Sequence, residues 1–326
     1  MALFGNTPSE NVTDLTVEVF RLIRKTFWND AGQSIACTLR IKGINQDDPL
    51  DEYIVKVAQE NLPKNATAVR SLTRGKQNTG SLTCPDFVVY RPELCAGQSQ
   101  AVLAIDLTRI VGIEVKKLDF VAGKQNRDKA MDFNSTPPCG TIRVYSNNDE
   151  PIDIRGFYLF VQQEALPNGQ VRFPAMTLCD GNLLNKDRVL YLKTIGAVEG
   201  ARKKEIGLGT FADGANRNRP MIVFPNPLSA EVLKGKFTLV HSSSELANAY
   251  PDLFRVGRIT RTETTTPQPG TEKQTVLHEF HCYQSKRDTR AGVAPFDVHD
   301  PIKHPEGRTE RVQGRGHFRI AIKPTD

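Results

Sequence analysis

The chain has 326 residues, of which 39% are hydrophobic and 25% charged, with 24 glycines and 20 prolines. That balance excludes a disordered or fibrous polypeptide, and the length allows one large domain or two ordinary ones. Lys and Arg exceed Asp and Glu by 43 to 37, and residues 64–129 hold 11 of those cations against 6 acids, so the excess is concentrated and points to an anionic partner.

The six cysteines, at 37, 84, 95, 139, 179 and 282, include no CxxC pair. They are expected to be reduced thiols rather than a disulfide frame or a zinc grip. The chain opens without a basic leader, and no run approaches the ~20 apolar residues that a bilayer requires, so a cytoplasmic protein without a membrane partner is expected.

In chain order, Val12–Phe27 repeats apolar side chains at Val12, Leu15, Val19, Leu22, Ile23 and Phe27, the spacing of one helical face. A second helix is expected from Asp48, a good N-cap followed by Pro49 at the first helical position. It carries Leu50, Ile54, Val57 and Ala58 and stops near Pro63. From residue 82 the pattern turns to short β-branched and aromatic runs divided by Gly, Pro and Asn. Strands are expected at Phe87–Tyr90, Ala101–Leu107, Ile110–Lys116, Thr141–Tyr145, Phe157–Gln162, Val189–Leu192, Met221–Phe224 and Phe237–His241. Helical stretches are expected near Ala197–Glu205 and at Ser229–Leu233 or Ser244–Tyr250. The polar segment Thr262–Lys273 reads as a hairpin tip or linker, with strands at Val276–Tyr283 and His317–Ile322 beyond it. Helices first, then strands with intervening helices, give an α/β (α+β) fold around one sheet.

The chemistry gathers in Cys84-Pro85-Asp86-Phe87-Val88-Val89-Tyr90 and Ile110-Val111-Gly112-Ile113-Glu114-Val115-Lys116. Side chains alternate along a strand, so Glu114 and Lys116 share a face while Ile113 and Val115 take the other. If the strand opening at Asp86 lies alongside, two carboxylates come together, and they repel unless a cation sits between them. Carboxylate oxygens completed by water and phosphate suit Mg²⁺. A lysine beside them can orient or deprotonate a water and offset charge on a phosphate. Pro-Asp occurs twice, at 85–86 and 251–252, but Glu114-Val115-Lys116 is the single acid-x-Lys triplet, so only the first Pro-Asp precedes one.

This arrangement resembles the PD-(D/E)xK nuclease superfamily, in which a Pro-Asp pair opens one strand and a Glu-x-Lys triplet ends the next. Among its members the type II restriction endonucleases look closest in size. The resemblance covers residues 86–116. It implies a restriction-endonuclease-like core, a central mixed sheet flanked by helices, in residues 1–250, followed by a β-rich extension over 251–326 packed on the same domain. It implies Asp86, Glu114 and Lys116 as catalytic residues, with Asp86 and Glu114 holding Mg²⁺. The activity implied is site-specific double-strand cutting of DNA by a homodimer, since two-fold protein symmetry matches a palindrome. A restriction system also implies a cognate DNA methyltransferase as functional partner. Many relatives send a helix glutamate to the metal; Glu60 is the candidate, with Glu52 on the opposite side of its helix and Glu18 less well placed.

Two polar loops have the side chains that read bases or hold phosphates. One contains Arg74, Lys76, Gln77 and Asn78, the other Lys124, Gln125, Asn126 and Arg127. Further basic clusters lie at Arg202-Lys203-Lys204, at Arg217-Asn218-Arg219, and at Lys286-Arg287 with Arg290. His278-Glu279-Phe280-His281-Cys282, with His299 and His304, invites a zinc reading, but His278 and His281 on a strand face opposite sides. Gly207-Leu-Gly209 lacks the third glycine of a dinucleotide fingerprint. Two other readings stay open: a repair or recombination nuclease that recognises DNA structure, and a basic DNA-binding protein without catalysis.

Overall fold

A computed structural model describes residues 13–41, 48–62, 66–70, 85–91, 110–120, 133–135, 140–145, 151–183, 222–224, 236–265, 274–288, 296–299, 309–312 and 317–320. Helix α1 is Thr13–Phe27 and α2 is Pro49–Asn61. The start of α2 follows its sequence: the Asp48 carboxylate accepts from the Leu50 N–H at 3.0 Å, and Pro49, with no N–H to satisfy, takes the first helical position. Helix α1 is buried more widely than one stripe, because Val17 and Phe20 are enclosed along with Leu15, Val19, Leu22, Ile23 and Phe27.

Nine strands form the path of a mixed sheet, in the order β1-β2-β3-β6-β7-β9-β11-β10-β12, and a tenth, β5, pairs with β6. They are β1 (Thr67–Arg70), β2 (Phe87–Tyr90), β3 (Ile110–Phe120), β5 (Thr141–Tyr145), β6 (Pro151–Ala165), β7 (Val171–Asp180), β9 (Phe237–His241), β10 (Leu253–Thr265), β11 (Gln274–Ser285) and β12 (Phe296–His299). β4 (Phe133–Ser135) pairs with β8 (Ile222–Phe224), and β13 (Thr309–Val312) with β14 (His317–Ile320). The β3–β6, β7–β9 and β10–β12 pairs are parallel and the other pairs of the large sheet antiparallel. Helix α3 (Leu246–Ala249) is a single turn before β10. The sheet runs without a break past residue 250, since β11 pairs with β9. The fold is thus mixed α/β around one large mixed sheet. Among the described residues no helix is long and apolar enough to cross a membrane.

Strand alternation sorts the core into two. Phe87, Val89, Val111, Ile113, Phe157 and Leu159 face the cluster that contains α1 and α2, while Val88, Ile110, Ile142, Val144 and Ile154 form a second cluster. The first is knit by aromatic rings: Phe237 stacks on Phe20 at 4.6 Å and on Trp28 at 5.4 Å, and Phe27 meets Phe173 edge-on at 4.8 Å. In the second, a Cβ added at Gly112 would lie 3.1 Å from Ile142 and Ile154 and 3.3 Å from Pro85, so glycine lets β3 approach closely.

The sequence does not announce β7 or β10. Pro174 argues against a central strand, but it falls where Phe173 and Pro174 together oppose the single residue Gln163, so no ladder rung is lost. β10 is broken by a similar irregularity between Arg255 and Gly257 and is rich in Thr, so its alternation is weak. Thr262–Thr265 belong to β10, and Thr265 pairs with Gln274, so the described ends of this segment belong to an antiparallel pair rather than to a linker. The expected elements at Ala101–Leu107, Val189–Leu192, Ala197–Glu205 and Ser229–Leu233 lie outside the described residues.

One buried polar group joins β6, β7 and β9. Arg155 Nη2 donates to both Asp180 oxygens at 2.6 Å, Arg155 Nη1 donates to the Gly140 carbonyl at 3.1 Å, and Asp180 also accepts from the Asn182 N–H at 2.8 Å. His241 lies beside this pair with its ring against Phe157, its Nδ1 accepting from the Ser243 N–H at 2.9 Å. Burial holds the His241 imidazole down to about 4, with Asp180 opposing that shift and Arg155 and His281 adding to it.

Candidate active site

β2 and β3 are antiparallel with Phe87 opposite Ile113, and Asp86, the residue before β2, sits at the end of that ladder against Ile113, Glu114 and Val115. Asp86 closes the ladder with its own groups. Its N–H donates to the Ile113 carbonyl at 3.0 Å, and its Oδ2 accepts from the Val115 N–H at 2.7 Å, in the place of the next rung. Two residues along β3, Lys116 Nζ donates to Glu114 Oε1 at 2.6 Å. Glu114 is 8% exposed. Tyr158 and Phe160, both fully buried and stacked at 6.0 Å, stand opposite Glu114 and Lys116 on β6, which gives the pair an apolar flank.

That setting controls protonation. The Asp86 carboxyl is raised well above the ordinary carboxylate range, first by burial, then by the charges of Glu114 and Asp51; Lys116 and the Val115 N–H oppose the rise. Two crowded carboxylates with a lysine at their edge can accept a divalent cation, which relieves the repulsion. They can also take a water between base and acid groups.

Asp51 is the functional candidate that sequence reasoning missed. It lies on the first turn of α2, is 6% exposed, and acts electrostatically on Asp86. The signal was available: Asp51 shares the stripe of Ile54, Val55 and Ala58, and an acid on a buried stripe calls for a reason. Glu60, the expected helix acid, is exposed at the far end of α2, where its charge acts on Tyr53. Glu52 pairs with Arg40 at 2.7 Å, and Glu18 with Arg91 at 3.0 Å. Asp48, besides capping α2, accepts from Lys117 Nζ at 3.1 Å and so ties the helix start to the residue after Lys116.

Asp252 of the second Pro-Asp is remote from this group and bonded to Arg21, Nε to Oδ2 at 2.8 Å, which holds its carboxyl below the usual range. His281 is buried and pairs in register with His241, while His278 stands three residues away opposite Arg261. Among the described residues no group of three His, Cys, Asp or Glu side chains gathers as a metal cage. Mg²⁺ does not demand one: it commonly binds through one or two carboxylates plus waters and substrate phosphate, and the hard oxygens of Asp86 and Glu114 fit that pattern. Arg74, Lys76, Gln77, Asn78, Lys124, Gln125, Asn126 and Arg127 lie outside the described residues, as do Arg202–Lys204, Arg217–Arg219, Arg290 and His304. Compared with protein-family models, curated proteins and solved structures, the chain matches none of them.

Proposed function

We propose that the chain is a Mg²⁺-dependent DNA endonuclease of the PD-(D/E)xK kind, working as a homodimeric type II restriction enzyme alongside a cognate methyltransferase. The observation that carries the reading is that the Asp86 carboxylate, bonded to the Val115 N–H at 2.7 Å, lies within the field of Glu114, with Lys116 2.6 Å from Glu114. The antiparallel pair β2–β3, with β6 parallel beside β3 and α1 and α2 packed over it, supports a restriction-endonuclease-like core.

In this reading Asp86 and Glu114 would hold Mg²⁺, which when bound would supply positive charge beside the scissile phosphate and activate water for attack. Lys116, an ammonium that donates to Glu114, would orient the attacking water and offset charge on the phosphate; a P–O bond to the water oxygen forms as the P–O bond to one sugar oxygen breaks, and that oxygen leaves with a proton from solvent. The apolar flank of Tyr158 and Phe160 keeps the local dielectric low, which strengthens each of these charge contacts. Asp51 lies close enough to bias Asp86 and joins the set of groups expected to affect metal affinity.

The test is digestion of unmethylated plasmid and phage DNA with and without Mg²⁺, for the wild type and for Asp86→Ala, Glu114→Ala and Lys116→Ala. Discrete fragments from the wild type, at least 100-fold less cutting by each variant and undiminished DNA binding by Asp86→Ala are expected. Cutting confined to branched DNA would replace the restriction reading with a structure-specific nuclease. Binding without cutting in Mg²⁺ would leave a non-catalytic DNA-binding protein.

A further inference from the structure

A cleft of about 820 Å³ opens between the C-terminal half of α1, the segment after it and the turn that follows β11. None of Asp86, Glu114 or Lys116 lines it. Its helix wall presents Arg21 and Lys25, one turn apart on the same face, and its other wall Lys286 and Arg287; all four are exposed. Arg24, also in the lining, is spoken for: its guanidinium is buried against Asp288, 2.6 Å from Oδ1.

The acids that face the exposed cations hold them weakly. Arg21–Asp252 and Arg287–Asp30 are solvent-exposed pairs, with side chains 42% and 48%, and 65% and 85%, accessible. A single exposed contact such as Arg287–Asp30 is worth about 0–1 kcal/mol, so a phosphate can take the place of that carboxylate at little cost, whereas Arg21 is gripped by both oxygens of Asp252 and adds its charge from the cleft wall. With Arg24 balanced by Asp288, the four exposed cations still outnumber Asp30 and Asp252, the acids of the lining, and leave the cleft net positive.

The ligand class follows from what the cleft lacks as well as from its charge. Trp28, the aromatic in the floor beside Phe20, is 4% exposed and already stacked on Phe237, so neither ring offers a face on which an unpaired base could stack. Cations on two walls without a stacking platform suit phosphates whose bases are turned away, as in a duplex. We propose that this cleft holds the sugar-phosphate backbone of double-stranded nucleic acid, as a binding surface separate from the Asp86–Glu114–Lys116 site. Binding here requires neither Mg²⁺ nor cleavage, so it can fail or hold independently of the nuclease reading.

The experiment measures binding of a fluorescent 30-base-pair duplex by the full chain in EDTA, between 50 and 300 mM salt. Lys25→Ala/Arg287→Ala should lower affinity about 60-fold at 0.1 M salt, because two lost phosphate contacts remove about 1.8 from the slope of log affinity against log salt. The charge-keeping Lys25→Arg/Arg287→Lys should bind like the wild type, which separates charge from packing. An unchanged slope in the alanine variant, or no duplex binding by the wild type at 50 mM salt, would overturn the proposal. So would a single strand that binds tighter than the duplex, or polyglutamate that displaces the duplex at equal charge, the second outcome assigning the cleft to an acidic protein partner.

Discussion

Lowering the pH should destabilise this protein through His241, by an amount that follows from the burial of its imidazole. In the unfolded chain the imidazole titrates near its ordinary 6.5; in the fold burial holds it to about 4. As pH falls through 6.5 the unfolded state binds a proton that the native state refuses, so the stability present above pH 6.5 drains away until about pH 4. A separation of about 2.5 units corresponds to about 3 kcal/mol, a large share of the 5–15 kcal/mol that holds a typical domain together. His241→Asn isolates the term, since the Asn oxygen can occupy the place of Nδ1 and still accept from the Ser243 N–H. Urea unfolding from pH 7.5 to 4 should show wild-type stability falling about 3 kcal/mol more than that of His241→Asn. Parallel curves for the two proteins would refute the argument that His241 is buried neutral.

Two further outcomes follow from the ion pairs. Asp180→Asn should destabilise the protein by about 3–5 kcal/mol in urea unfolding, because Arg155, 2% exposed, loses its compensating charge while staying buried. Asp252→Ala removes only an exposed partner of Arg21, so its unfolding free energy should drop by no more than about 1 kcal/mol, and any plasmid cutting should match the wild type.

Local signals in the sequence carried the elements that obey one rule at a time. The Asp48-Pro49 start of α2, the apolar spacing of α1 and the short runs at Phe87–Tyr90, Thr141–Tyr145 and Phe237–His241 all appear where periodicity and capping place them. β7 was illegible because Pro174 forbids a rung only where a rung exists, and whether one exists depends on the bulge opposite Gln163, a tertiary fact. β10 was hidden by its threonines, whose place in a strand is secured by β11 rather than by an apolar face. At the candidate site, the Asp86–Glu114 pairing could be read from two motifs and strand alternation. The inward acid of α2 is not a glutamate but the aspartate at 51, which only the burial of its stripe marks out. The cleft of Arg21, Lys25, Lys286 and Arg287 joins residues some 260 positions apart, which no local pattern reveals.

The bonds of α1 to the far end of the chain have a consequence for synthesis. Arg21 reaches Asp252, Arg24 reaches Asp288 and Asp14 reaches the Tyr250 hydroxyl, spanning 231, 264 and 236 residues. A chain leaving the ribosome thus makes α1 first and must wait for residues 250–288 before that helix can be sealed in place. At ~5–20 residues per second the wait lasts at least ten seconds or so, during which the rings of Phe20 and Trp28 lack Phe237, on which both stack, for most of the interval. A nascent chain stalled before residue 237 would therefore carry an incompletely covered aromatic patch on α1, the kind of surface that chaperones retain and that the folded molecule hides.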